Sequence, residues 1–243
     1  MHRTGRPIGT GAKMVDRDAL AMRVARVRTA VAEAAVSAGR NADEITIVAV
    51  SKTVDRASVD AAYALGLRHF GENRVGDASA KFAEPLPPDA RLHLVGQLQS
   101  NKARSAARLF TMIESVDRPS LIDALEKAAS ALASPMPVLL QVNIAREGQK
   151  AGCAQEDAGA LVARIQQSPV LRLAGLMTIA PLVADPEMAR PAFAGLRQLR
   201  DRLLTDEPSL NLGILSMGMT NDYPVAIGEG ATHVRIGRAI FGG

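Results

Sequence analysis

Apolar and polar positions are laid out in blocks along this chain. Runs rich in Val, Ile and Leu occupy 45–51 (ITIVAVS), 92–97 (LHLVGQ), 112–116 (MIESV), 138–144 (VLLQVNI), 171–179 (LRLAGLMTI), 214–217 (ILSM) and 232–236 (THVRI). A shorter candidate lies at 68–71 (RHFG). Their lengths and branched composition predict eight strands. Between them apolar residues recur at helical spacing, as at Leu121, Leu125, Ala128 and Leu132, or Leu196, Leu199 and Leu203. Leu20, Val24, Val27 and Val31 predict one more helix ahead of the first strand, with Gly39 as its stop.

Strands alternating with helices are the pattern of βαβ units on a parallel sheet. Eight such units either close into a barrel or lie open as a doubly wound sheet. The count favours the barrel, and so does the lack of a Gly-rich phosphate fingerprint after the first strand. A length of 243 residues also suits a barrel that folds as one unit. The expected fold is α/β, a single-domain (β/α)8 TIM barrel over 15–243 with an extra N-terminal helix. Residues 1–14 (MHRTGRPIGTGAKM) read as a flexible leader.

Composition narrows the function classes. The chain is 47% apolar but only 3% aromatic, with no Trp. That suits Ala, Val, Leu and Ile packed on a buried parallel sheet, and suits an aromatic platform for single-stranded nucleic acid poorly. Part of the net charge of +4 comes from Arg3, Arg6 and Lys13. Elsewhere the charges are interspersed and form no basic block, which argues against a nucleic-acid partner. Cys153 is the only cysteine, so no disulfide framework and no Cys-based zinc site are expected, and no metal is assigned. No apolar run approaches membrane-spanning length and the start lacks a secretory pattern; the expected location is the cytoplasm.

In a barrel, reactive groups gather where strands end and βα loops begin. The strand ends here carry Ser51-Lys52, Glu72-Asn73, Gln97, Ser216, and Arg235 with Gly237. Lys52 follows the run 45–50, so its stem starts inside the barrel layer. Loss of solvation there would favour the free amine that forms imines; the competing reading is a strand-end lysine that snorkels to solvent. The segment 216–222 (SMGMTND) and the segment 234–238 (VRIGR) follow strands seven and eight, the usual phosphate site of this architecture. Thr220 or Asn221 could cap the helix that follows. His93 alternates with Leu92 and Leu94, so it points into the barrel, most simply as a satisfied core histidine. Ser100 reads as a helix cap, and an ion pair with Glu229 is the structural alternative for Arg235.

The segments AVSKT (49–53), HFGEN (69–73), LHLVGQLQSNK (92–102), GLMTI (175–179), LSMGM (215–219) and VRIGRAIFG (234–242) occur in one order from about 45 to the end. In this the chain resembles the pyridoxal-phosphate homeostasis proteins, which look like the barrel half of alanine racemase. The resemblance implies pyridoxal 5′-phosphate as cofactor, held as a Schiff base on Lys52, with Asn73 nearby and Arg235 facing the pyridine nitrogen. Ser216, Met217 and Gly237 are the implied phosphate contacts, partly through main-chain amides. Lys150 is similar to a family lysine with secondary cofactor contact. The chain departs from many relatives at Arg74, where they carry an aromatic residue, and at Arg238, where they carry a small hydroxyl residue.

The implied function is intracellular cofactor homeostasis, meaning buffering and delivery to transient apo-enzyme acceptors, by a monomer without robust catalysis. Arginine keeps its proton at accessible pH, so it donates to the ring nitrogen without protonating it, and an unprotonated pyridine is a poor electron sink. The alternative is a racemase-like enzyme of low activity. Racemisation needs proton donors on both faces of the substrate α-carbon. Alanine racemase draws one, a tyrosine, from the partner subunit's second domain, and this sequence ends before such a domain. Tyr223, expected in the loop after the seventh strand, or His93 would have to replace it; Tyr63 is expected to face outward. A third reading is a cofactor-free binding protein that uses its basic surface.

Overall fold

The computed structural model describes residues 16–146 and 151–242. Eight strands run β1 (Thr46–Val50), β2 (His69–Glu72), β3 (Arg91–Leu94), β4 (Met112–Val116), β5 (Met136–Gln141), β6 (Leu171–Met177), β7 (Ile214–Met219) and β8 (His233–Ile236). They pair in chain order, all parallel, and β8 returns to β1, closing the barrel. The expected (β/α)8 barrel is the fold observed, with helices α1 (Arg17–Ser37), α2 (Arg56–Ala64), α3 (Val75–Lys81), α4 (Ala103–Leu109), α5 (Pro119–Ala129), α6 (Ala158–Gln166), α7 (Arg190–Asp206), α8 (Tyr223–Gly228) and α9 (Arg238–Phe241).

Alternation along each strand sorts two environments. Ala49, Phe70, Leu92, Leu94, Ile113, Leu215, Val234 and Ile236 join the large apolar shell between barrel and helices. The opposite faces look inward, where a small apolar layer of Leu139, Ala174 and Met177 shares the interior with polar side chains. Fully burying each Val, Leu or Phe of the shell is worth roughly 1.5–3 kcal/mol, so the shell supplies most of the driving force.

The extra helix α1 buries Leu20, Val24, Val27, Val31 and Ala35, the face its spacing predicts, and packs on α8 and α9. Arg40 fastens its end, with Nη1 donating to the carbonyls of Ile227 and Ala231 at 3.0 and 2.8 Å. Other expectations are corrected. Helix α5 stops at Ala129, and Leu132 lies beyond it, exposed, because the chain must turn into Pro135 and β5. Strand β7 runs on to Met219, leaving only a short connection before α8. Ser100 lies within a single 3-10 turn and caps no helix. The leader, 1–14, lies outside the described residues.

Candidate functional site

Lys52 sits just past β1 and is exposed. It keeps the parity of Thr46, Val48 and Val50, the inward-facing set of that strand. Its main chain is fixed from behind. Ser51 N donates to Gly71 O at 2.9 Å, and Ser51 Oγ donates to Glu72 Oε1 at 2.7 Å. Lys81 of α3 donates from one ammonium to both Ser51 O, at 2.6 Å, and Glu72 Oε1, at 2.8 Å. Ser51 and Glu72 are fully buried. Glu72 therefore faces the helices and braces the root of Lys52; it does not enter the mouth. Asn73, next along, returns to the inward parity of His69 and Gly71 and is half-buried.

Arg235 lies on the neighbouring strand, in register with Val48 of β1. It is buried, and its guanidinium is well held: Nη1 donates to Ser216 Oγ at 2.7 Å and Nη2 to Thr178 O at 2.8 Å. Ser216 passes the contact on, donating to Glu114 Oε2 at 2.5 Å. Glu114 is completely buried at the centre of β4, and His93 Nδ1 meets its other oxygen at 2.7 Å. Burial alone would raise this carboxyl. The His93 hydrogen bond and the charges of His93, Arg235 and His233 outweigh it and hold Glu114 down at about 2. Burial likewise works against the Arg235 charge, which Glu114 and Asp222 support. Glu229, the alternative partner for Arg235, is instead bound by Arg190 and Arg197 at 2.7 and 3.0 Å.

The ends of β7 and β8 beside this pair are shaped by glycine. Gly218 has φ +88, and a Cβ there would stand 2.6 Å from Ala226 Cβ. A Cβ on Gly237 would stand 3.0 Å from Val50 O, so the end of β8 closes on the end of β1, next to Lys52. Met217 is fully buried in the outer shell, and the Ser216 hydroxyl is spent on Arg235 and Glu114. Neither side chain is left to meet a ligand in the mouth. Asp222, not Thr220 or Asn221, stands at the start of α8, where its Oδ1 accepts from Met219 N at 2.5 Å.

The remaining sequence candidates disperse. Tyr223 opens α8 and is buried in the outer shell, because Pro224 fits the first turn of a helix and starts it there. Tyr63 points away from the barrel and donates to Asp89 Oδ1 at 2.6 Å. His93 is inward, as its alternation predicts, and is committed to Glu114 and to His69, 2.9 Å away. Gln97, Arg74 and Arg238 are exposed, and Lys150 lies outside the described residues. Glu114, Thr178 and Lys81 had no place in the sequence reading. For Glu114 the signal was there: a carboxylate on the same strand face as Met112 and Val116 has to be buried with a partner.

The family model described as alanine racemase, N-terminal domain, matches residues 15–243. A pyridoxal phosphate homeostasis protein from Pseudomonas aeruginosa is 45% identical over 225 residues, covering 92% of this chain and 95% of that protein. The chain belongs to the pyridoxal phosphate homeostasis protein family. A further member, from Escherichia coli K12, is 39% identical and covers 92% of this chain and 96% of its own length. Among solved structures, PipY of Synechococcus elongatus with PLP bound superposes with a TM-score of 0.81 at 39% identity, covering 92% of this chain and all of that one. An alanine racemase from Clostridium difficile shares the fold at a TM-score of 0.71 and 14% identity.

Proposed function

We propose that this protein binds pyridoxal 5′-phosphate at the C-terminal mouth of the barrel, as a Schiff base on Lys52, and serves intracellular cofactor homeostasis as a monomeric buffer and donor. The observation that carries the reading is the placement of Lys52 just past β1, beside β8, whose Arg235 stands in register with the inward-facing Val48 of β1 and is anchored to Glu114 through Ser216.

The residues present fit such a group. Lys52 offers a primary amine on a main chain braced by Ser51, Glu72 and Lys81. Arg235 can only donate, so it would hold the pyridine nitrogen without giving it a proton. Gly218 and Gly237 keep side chains out of the ends of β7 and β8, leaving main-chain donors at 218 and 237–238 for the phosphate, with Asn73 at the end of β2. When bound, the cofactor supplies an electrophilic aldehyde and an electron-accepting ring. This chain's contribution is to bind and orient it while limiting the ring's use as an electron sink. The placement of Tyr223 in the shell and of His93 between Glu114 and His69 supports holding over racemisation, since neither candidate second base is free at the mouth. The relatives' names and the PLP-bound PipY structure support the same choice of cofactor.

The test is the visible spectrum of the purified protein mixed with pyridoxal phosphate, before and after borohydride reduction. An imine band that is fixed by borohydride and lost in Lys52→Ala is expected. No band, or one that persists in Lys52→Ala, overturns the assignment. Turnover of amino-acid enantiomers at ordinary enzymatic rates would overturn the homeostasis role while leaving the binding site standing.

A further inference from the structure

The opposite end of the barrel holds a hollow. It has a volume of about 750 Å³ and is ringed by strand starts, Thr46, His69, Arg91, Met112, Ile214 and His233, with Arg172 from the start of β6. His93 forms part of its floor. Every histidine of the described residues is here: His69 and His93 rings lie 5.1 Å apart, and His233 lies 6.1 Å from each. No Asp or Glu lines the hollow. Arg91 and Arg172 stand exposed at its rim, and among the described residues neither forms an ion pair. The cluster does not have the arrangement of a metal site among those residues.

We propose that this hollow is a binding site for a small tetrahedral oxyanion, the phosphate or sulfate group of a small solute, gripped by Arg91 and Arg172 above the rings of His69 and His233. Two guanidiniums without counter-charge at one concave opening are the donor set that recognises such oxyanions. The histidines complete it. Glu114 is anionic, so His93 Nδ1 donates to it, while His93 Nε2 lies 2.9 Å from His69 Nδ1. An incoming anion is best met by adding a proton to the His69 ring. Burial first, then the neighbouring His93, His233 and Arg91, hold His69 down at about 4. His233 is held at about 4 by burial, with Glu114 opposing and His93 and Arg235 adding to the effect. A bound anion cancels those repulsions, so binding takes up protons and tightens as pH falls through the range between 4 and 6.5. The site is at the far end from Lys52 and stands independently of the cofactor reading.

The probe is sulfate, which keeps its charge across this range, titrated into the full-length protein against chloride at equal ionic strength. The readout is the NMR signals of the His69 and His233 rings. Saturable shifts with sulfate, a rise in both ring pKa values, and tighter binding at lower pH are expected. Arg91→Gln with Arg172→Gln should weaken sulfate about tenfold or more, the loss of charge-assisted hydrogen bonds. Arg104→Gln, an exposed charge on α4, serves as the control and should change little. Shifts that match chloride, or sulfate binding unaltered in the double variant, overturn the site.

Discussion

Glu114 and Arg235, from strands on different sides of the barrel, are joined through a single hydroxyl. Ser216 Oγ accepts from Arg235 Nη1 at 2.7 Å and donates to Glu114 Oε2 at 2.5 Å. Both charged residues are buried, and each favours the charge of the other. Such a pair adds little net stability over an apolar isostere, but removing one partner strands the other charge. Its value is positional: Arg235 cannot change rotamer without losing both Ser216 and Thr178.

Glu114→Gln is therefore expected to destabilise the fold by about 3–5 kcal/mol, the cost of an uncompensated buried charge. Urea unfolding at pH 7 measures it. Adding Arg235→Met should restore part of the loss, whereas a purely steric effect of Gln at position 114 would persist in the double variant.

Much of this architecture was legible in the chain. The strands are continuous apolar runs, and α1 buries Leu20, Val24, Val27 and Val31 as their spacing requires. Lys52 and Arg235 were legible too, as polar residues closing such runs. What stayed hidden were connections across distance: Ser216 and Glu114 are 102 residues apart, and no local pattern links them. Nothing in the sequence marks Lys81, which meets Ser51 and Glu72 only because α3 packs back on them. Tyr223 was misplaced for a local reason. The turn-like stretch 218–222 masked a helix that starts at Tyr223 with Pro224 in its first turn.

Acid should weaken the fold in two stages. An unfolded histidine takes up its proton near pH 6.5, while His69 and His233 in the barrel do so only near 4. Between these values the unfolded chain binds more protons, so stability falls as pH drops from 6.5 to 4. His233 alone should account for roughly 2–3 kcal/mol. Glu114 acts lower. Its folded value of about 2 lies under the ordinary 4.5, so its contribution persists above 4.5 and is lost between there and 2. Urea midpoints measured from pH 8 to 4 should show the first stage, and His233→Asn should flatten it. A midpoint that is constant over this range would contradict the buried neutral histidines.

The brace behind Lys52 makes a separable prediction. Lys81→Met leaves the fully buried Glu72 without its cation, and should cost about 3 kcal/mol or more. Glu72→Gln with Lys81→Met removes both charges and should cost less than Lys81→Met alone. The double-mutant cycle should return a coupling of about 0.5–3 kcal/mol. A merely additive result would mean that the ammonium serves Ser51 O and not the carboxylate.

Gly218 and Gly237 should fail in different ways. At Gly218 the backbone has φ +88, where an L side chain is strained, and its Cβ would press on Ala226 and on Tyr223 Cα. Gly218→Ala should therefore cost stability, about 1–3 kcal/mol from the backbone alone, with the contacts adding to it. At Gly237 no such strain arises, and the Cβ meets one atom, Val50 O, at 3.0 Å. Relief requires only that the end of β8 move a few tenths of an ångström from the end of β1. Gly237→Ala should thus unfold nearly as wild type does, while weakening pyridoxal phosphate, because the movement separates the loop at 237–238 from Lys52. Equilibrium binding followed by the imine band, set beside urea unfolding, distinguishes the two variants. If Gly237→Ala bound the cofactor with unchanged affinity, the close approach of β8 to β1 would be a packing feature with no part in the site.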